Sequence, residues 1–400
     1  MLQGIRVLDL TQYLSGPSAA RLLAAMGADV IKVELGPGGD PSRALPLVKD
    51  GRSAYYVQQN RGKRSVCVDF GRPEGHEVVR ELAQRCDVVV ENFGVGVLER
   101  RGLDYKALSE GHPGLIMASI SAFGRTGPLA DLPGYDLMGQ AVSGMMHVTG
   151  EPEGAPLFTG SPIADCSSGV LLFAAVGHAL FHRERTGRGQ YIDVSMVDSL
   201  FHMHSIAVQA HSVSGGEYRQ VRTGRQFDRV VPSGAYRSPQ GWVVIQALDR
   251  QWPRLCDAMD RPDLVDDPAW ASADARAEHP DDMTALLESW MATFPDDAAV
   301  LARLAEHRIP AAPVLDPADA AAHPYFRERQ MVREVPDEVL GQVSVPGFPI
   351  KFSERDEPDV EPPAPFLGQH NAEVLREVLG WDQDRVDALH SAGVLFADRV

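Results

Sequence analysis

Asp165 is where a chemical reading of this sequence begins. It stands in Pro162-Ile163-Ala164-Asp165-Cys166-Ser167-Ser168-Gly169, at the mouth of an apolar run from Gly169 to Leu180. A carboxylate there has two readings. It is a helix cap, its oxygens accepting backbone N–H groups, or it is a catalytic carboxylate held at the edge of a core. Capping preference alone favours the first. The run from Gly169 to Val176 is uncharged and reads as buried.

Basic residues form a second set. Arg61-Gly62-Lys63-Arg64 precedes a strand, Arg100-Arg101-Gly102 follows the loop Glu91-Asn92-Phe93-Gly94, and Arg125 sits in a third loop. Guanidinium forks suit phosphate oxygens. Any one of these is equally well a solvated surface charge, but three clusters at strand ends of one sheet point to a ligand with several phosphates. Asp136 follows Tyr135 and reads most simply as the cap of the next helix. Tyr135 can donate a hydrogen bond to a ligand. His147, His178, His182, His202 and His204 fall at helical spacings without a metal-ligand pattern and read as structural. Cys166 reads as a small buried residue rather than a nucleophile.

The elements that must position these residues repeat one theme. Gly4 to Leu10 is a strand, Ser18 to Met26 a helix ended by Gly27, and Asp29 to Val33 a second strand, which makes a βαβ unit. Strands follow at Ser65 to Phe70, Asp87 to Val90, Leu115 to Ile120 and Tyr191 to Ser195. A helix runs from Pro73 to Cys86, with proline at its first turn. Continuous apolar strands are expected where helices cover both faces of a parallel sheet, so residues 1 to about 200 read as a doubly wound α/β domain. Helical patterns also cover Leu137 to Met146 and Met196 to Val213.

From Val230 the texture changes. Gly234 to Arg237 and Trp242 to Ile245 flank the turn Ser238-Pro239-Gln240-Gly241. Helices follow at Gln251 to Met259, Met283 to Phe294 and Asp297 to His307, giving a smaller α+β domain. Pro317 to Val335 reads as a connector, and Glu354 to Pro365 as an extended acidic crossing. Asn371 to Leu379 and Asp382 to Ala392 are amphipathic helices. GxGxxG after the first strand, GxxxxGK[ST], HExxH and GxSxG are all missing, which weakens the dinucleotide, P-loop, metalloprotease and α/β-hydrolase readings.

Bulk numbers agree with a soluble, two-domain protein. The 400 residues are 44% apolar and 23% charged, and one core seldom serves that length. No uninterrupted apolar stretch reaches the ~18 residues of a membrane span, and the first residues lack a signal-peptide layout. Four cysteines without metal-ligand spacing argue against a disulfide framework or zinc, and a reducing cytoplasm is the expected compartment. A net charge of −17 argues against nucleic acid or an anionic membrane as partner.

Taken in order, several motifs resemble the class III CoA-transferase family, which includes formyl-CoA and carnitine CoA-transferases, with α-methylacyl-CoA racemases as relatives. They are Asp9-Leu10-Thr11 with Gly16-Pro17, Leu23 to Glu34, Asn60 to Ser65, Glu91-Asn92-Phe93, Pro133-Gly134-Tyr135-Asp136, Ala164-Asp165 and Thr186-Gly187-Arg188-Gly189-Gln190. The likeness continues through Asp249-Arg250-Gln251-Trp252 and Leu367-Gly368-Gln369-His370 and covers nearly the whole chain. It implies a Rossmann-like large domain built from both ends of the chain (1–211 and 346–400) and a small α+β domain (230–316), with linkers at 212–229 and 317–345. It also implies a ring-shaped chain that interlocks with a second copy as a homodimer. Coenzyme A or acyl-CoA is then a substrate, with no permanently bound cofactor and no metal. Asn60, Lys63, Arg64, Asn92, Phe93 and Arg100 match the family's CoA contacts, Asp165 its catalytic aspartate, and Tyr135 a further catalytic position.

The resemblance implies CoA transfer between carboxylic acids through an aspartyl anhydride and an aspartyl-CoA thioester. Two alternatives stay open: a racemase, and a non-catalytic acyl-CoA-binding protein. Racemases carry histidine where this chain has Tyr135, and glutamate where it has Asp249. In the formyl-CoA branch an amide stands where this chain has Leu14, and a glycine-rich loop has no counterpart between 211 and 241. Oxalate and formate are therefore not expected, and a larger or more apolar acid is.

Overall fold

The structure, a computed structural model, describes residues 1–227, 230–355, 358 and 360–398. Parts of the two expected crossings, Asp228 and Arg229 in one and Asp356, Glu357 and Asp359 in the other, lie outside the described residues, as do Arg399 and Val400 at the end of the expected C-terminal return. The chain divides into two compact units. The first comprises Met1–Met145, Thr159–Ser205 and the stretch from Pro324 onward; the second comprises Met146–Phe158 and Ile206–His323.

The first unit is built on a six-stranded parallel sheet. Its strands are β1 (Arg6–Asp9), β2 (Asp29–Leu35), β3 (Arg64–Val68), β4 (Val88–Glu91), β5 (Ile116–Ser121) and β6 (Tyr191–Ser195), in the order β3-β2-β1-β4-β5-β6. This order reverses direction between β1 and β4, where open α/β sheets bind ligands beyond the carboxyl ends of the strands. Alternate residues of β1, β2, β4 and β5 feed two cores. Val7, Val30, Val88 and Val90 pack with Ala19, Ala20 and Leu23 of α1 (Ser15–Ala25) and with Leu172, Val176 and Ala179 of a long helix that bears Asp165. Leu8, Ile31, Val66 and Val89 pack on the other face with Val78, Val79 and Leu82 of α2 (Pro73–Ala83) and with Val374 and Leu375 near the C-terminus.

An edge strand such as β3 presents unpaired backbone groups, and the chain's end covers them. The Ser65 N–H donates to His370 Nδ1 and the Cys67 N–H to Asn371 Oδ1, while the Cys67 carbonyl accepts from Phe396 N–H. The C-terminal helices Asn371–Leu379 and Gln383–Ser391 thus belong to this unit.

Buried charges hold the turn between β1 and α1. Lys63 Nζ donates to Asp9 Oδ2 at 2.8 Å, Asn60 Oδ1 at 2.9 Å and the Pro17 carbonyl at 3.0 Å, which uses its three donors. Lys32 Nζ donates to the Thr11 carbonyl and pairs with Asp40, both at 2.8 Å. Burial drives Lys63 down to about 8 against the pull of Asp9. Burial would raise the Asp9 carboxyl, but Lys63 and Lys32 hold it below its ordinary range.

Several helices depart from the sequence expectation. Leu137 to Met146 is cut to α3 (Asp136–Val142), which ends before Gly144 at φ +89°. The pattern from Met196 to Val213 is two helices, α5 (Met196–His202) and Ala207–Val213. Three-residue hydrogen bonds from Met203 and His204 end the first of them, and His204 Nε2 is tied to the Ser143 carbonyl. The connector 317–345 holds two short helices and the antiparallel pair Val332–Asp337 with Gly341–Pro346.

The long helix, α4 (Ile163–Thr186), corrects the expectation of full burial. Leu172, Val176 and Ala179 are buried, but Val170, Leu171 and Phe181 are exposed. Without charge to mark a solvent side, its sequence does not reveal which face the sheet takes. By length and composition α4 also meets the criterion for a membrane span, yet its buried side packs on the sheet.

The second unit has a small antiparallel sheet, with β8 (Trp242–Gln246) between β7 (Ser233–Arg237) and β9 (Ala311–Pro313). Helices Trp252–Ala258, Pro280–Met291 and Asp297–Glu306 supply side chains to its core. Arg276 is fully buried there: it donates to the Val231 and Trp270 carbonyls and pairs with Asp249.

Removing one partner of a buried ion pair leaves the other charge uncompensated. Lys63→Met is therefore expected to cost about 3–5 kcal/mol, read as a lower midpoint in urea or thermal unfolding of the whole chain.

Candidate active site

Three loops leave the carboxyl ends of β1, β4 and β5 and enclose a cavity of about 440 Å³. Gln12, Tyr13 and Ser15 come from the first loop, Asn92 and Phe93 from the second, and Ser121 to Phe123 from the third. Tyr135 and Asp165 complete the wall. The sheet topology therefore brings together four residues that the sequence singled out: Asn92, Phe93, Tyr135 and Asp165.

Asp165 does not cap its own helix. Pro162 occupies the capping position of α4, which has no side-chain cap from it. The cap comes from Asp136, whose Oδ1 accepts from Ala164 N–H at 2.7 Å and from Asp165 N–H at 3.1 Å. Asp136 is thus a cap, as its type suggested, but for a helix that starts 27 residues later rather than its own. Gln140 Nε2 donates to its other oxygen at 2.6 Å. The Asp165 carboxylate is left facing the cavity. Burial raises its pKa first and the Asp136 charge second, to about 7, against a smaller lowering influence of the Ser15 hydroxyl.

Ser15 lines the same cavity as Asp165, and α1 and α4 touch closely beside it. Gly169 stands one turn beyond Asp165, and a Cβ there would lie 2.7 Å from the Ser15 carbonyl oxygen. Sequence reasoning missed Ser15. The signal was a glycine four residues after the aspartate, on the same helical face. Tyr55 was missed as well; burial and then the Asp165 charge push its hydroxyl well above its ordinary range.

The cations meet different fates. Lys63 and Asn60 are enclosed in the fold, with the ammonium fully engaged. Arg64 pairs with Asp29, Glu373 and Glu377, and Arg61 with Glu361. Arg125 pairs with buried Glu91, whose other oxygen accepts from Phe93 N–H at 2.9 Å, so this pair braces the loop that carries Asn92 and Phe93. Arg100 lies exposed at the end of that loop. Tyr135 is 68% exposed and sets its ring edge-on to Tyr13 at 6.5 Å.

Cys166 is exposed rather than buried. Its thiol is held above its ordinary range by desolvation and then by Asp165 and Asp136. Asp249, the position of interest for racemase chemistry, receives the Arg276 guanidinium within the second unit. Among the described residues, no three His, Cys, Asp or Glu side chains gather in a way that could hold a metal.

The chain was compared with known proteins. The family model for CoA-transferase family III matches residues 2–371. Succinyl-CoA:mesaconate CoA-transferase of Haloarcula hispanica is 39% identical over 399 residues, spanning 97% of this chain and 99% of its own. Formyl-CoA:oxalate CoA-transferase of Streptomyces avermitilis is 35% identical over 410 residues, spanning 98% and 99%. A CAIB/BAIF family protein from Brucella suis, solved as a crystal structure, superposes with a TM-score of 0.83 at 36% identity, over 94% of this chain and 99% of that one. Agreement at this level along both chains leads to one conclusion: this protein belongs to CoA-transferase family III.

Proposed function

We propose that this protein moves coenzyme A from an acyl-CoA donor to a carboxylic acid, with Asp165 as the nucleophile. One observation carries the reading. The Asp165 carboxylate is desolvated, relieved of capping duty by Asp136, and turned into the cavity at the point where the sheet order reverses.

The chemistry follows from that placement. An Asp165 oxygen attacks the thioester carbonyl, the C–S bond breaks, and CoA leaves as thiolate, giving a mixed anhydride. The thiolate then adds to the aspartyl carbonyl, the C–O bond breaks, and the donor's acid leaves as carboxylate. The acceptor acid attacks the resulting aspartyl-CoA thioester, releasing thiolate and forming a second anhydride. Thiolate attack on the acceptor's carbonyl completes the transfer and restores the carboxylate. Enclosure of the carboxylate limits hydrolysis of the anhydrides.

Asn92, Phe93 and Arg100 share the loop beside the cavity and are proposed to contact CoA. Asn60, Lys63 and Arg64 are proposed to serve the same ligand by bracing the neighbouring turns, since their polar groups are engaged within the fold. Tyr135 is proposed to donate to the substrate carboxylate. The name of the Haloarcula relative supports succinyl-CoA as a donor to test first. Leu14, buried where the formyl branch carries an amide, supports an acceptor other than oxalate.

A homodimer is part of the proposal. Val170, Leu171 and Phe181 on α4, and Leu137, Met138 and Val142 on α3, are exposed large apolar side chains, and faces of this kind are commonly covered by another chain. The interlocked ring form rests on the family resemblance. A cytoplasmic location fits the unpaired cysteines.

Incubation with succinyl-CoA is expected to add CoA to Asp165, seen by mass spectrometry of the intact chain and lost in Asp165→Ala. Full transferase activity in that variant would remove the proposal. The ionised carboxylate is the nucleophile, so kcat/KM should rise with pH through about 7. Asp136→Asn removes a like charge and should move this acidic limb to lower pH.

Stability carries the same signature. The folded chain holds the Asp165 proton more tightly than the unfolded chain, so this group's contribution falls as pH rises from about 4 to about 7. Asp165→Asn is expected to melt at higher temperature than wild type at pH 8, with the difference gone near pH 4.

A further inference from the structure

We propose that Gln140 is a positioning residue of this transfer: it holds Asp136 against the backbone of Asp165 and so fixes where the nucleophile stands. The proposal rests on the reading of Asp165 as nucleophile.

Each link is a hydrogen bond. Gln140 lies one turn after Asp136 on α3 and is 1% exposed. Its Nε2 donates to Asp136 Oδ2 at 2.6 Å, and its Oε1 accepts from Thr159 N–H at 3.0 Å. A side-chain amide has one end that donates and one that accepts. Turned over, it would set its oxygen against a carboxylate and its NH2 against an N–H. The two partners therefore fix its orientation. With Oδ2 held, Asp136 Oδ1 accepts from Ala164 N–H at 2.7 Å and Asp165 N–H at 3.1 Å. The second of these is the backbone amide of the nucleophile itself.

Packing supports the same arrangement. At Gly139, the neighbour of Gln140, a Cβ would lie 2.9 Å from the Ala164 Cβ, so α3 meets the first turn of α4 with no side chain between them. Thr159 begins the run that leads into α4, and its hydroxyl donates to the Ser161 carbonyl at 2.7 Å. Gln140 thus anchors the start of α4 twice, through Asp136 and through Thr159. An exposed Gln–Asp pair one turn apart supports only its own helix. This pair is buried, and its outer bonds reach another element.

Placement matters to the chemistry because an Asp165 oxygen must stand within bonding reach of the thioester carbonyl. Its own carbonyl carbon must later stand within reach of the thiolate. A displacement of about 1 Å can lower a rate by roughly 10²-fold. Gln140 keeps its protons throughout and touches no reacting atom. Neither Gln140 nor Asp136 lines the cavity, so their effect belongs in kcat and not in KM.

The test uses the full-length chain with succinyl-CoA as the probe. Gln140→Met keeps the length of the side chain and removes both bonds. Expected are a kcat lower by roughly 10- to 100-fold, an unchanged KM, and slower single-turnover appearance of the Asp165–CoA adduct. Asp136→Ala should show the same pattern. In that background Gln140→Met should lower kcat by less than it does alone, because Gln140 acts through Asp136. A wild-type kcat in Gln140→Met, a loss confined to KM, or losses that multiply in full in the double variant overturns the assignment. So does a smaller adduct yield formed at the wild-type rate, which is what a merely structural role produces. Should Gln140→Met not fold, Gln140→Glu keeps the bulk and the acceptor for Thr159. The titratable groups set against Asp136 are Asp165 and Cys166, which this variant leaves in place. Its kcat relative to wild type should fall from about pH 6 to about pH 9, since only a carboxyl that keeps its proton donates to Asp136; a constant ratio overturns the assignment. Turnover by wild type with no Asp165 adduct overturns the nucleophile reading itself, and this inference with it.

Discussion

Two buried ammonium groups hold the turn on which the candidate active site depends. Lys63 binds the end of β1 through Asp9 and the first turn of α1 through the Pro17 carbonyl. Lys32 holds the Thr11 carbonyl between them. A buried charge is tolerated only when paired and hydrogen-bonded, and here the pairing partners are the backbone and side chains of one short turn. That turn carries Gln12, Tyr13 and Ser15 into the cavity. Lys63, a candidate CoA contact by its motif, makes all three of its bonds within the fold.

A second constraint operates across the cavity. Asp136 satisfies two orphan N–H groups at the start of α4, a role often filled by the residue preceding a helix. Because Asp136 does this from another helix, Asp165 is spared it. The same negative charge also raises the Asp165 pKa. One carboxylate therefore both frees its neighbour and tunes it toward neutrality, which suits the nucleophile role proposed for Asp165.

The helix that carries Asp165 also shows how composition can mislead. An uncharged run suggested complete burial, yet a helix packed on one face of a sheet buries only the side chains on that side. Leu172 and Val176 go inward, while Val170, Leu171 and Phe181 go outward. An exposed apolar face of this kind is intelligible when another chain covers it.

The sequence alone determined the periodicities that make the sheet, its doubly wound class and the two-part organisation, because continuous apolar strands and intervening helices are local patterns. It also singled out Asp165, Tyr135, Asn92 and Phe93, through motif order. It did not show that Asp136 caps the Asp165 helix, that Lys63 is bonded to Asp9, or that Ser15 shares a cavity wall with Asp165. These relations join residues from 28 to 150 positions apart, and nothing in local pattern encodes which distant partner a polar group finds. Only the tertiary structure decided them, because strand order sets which loops share the switch point, and close helix contact at Gly169 sets which side chains touch there.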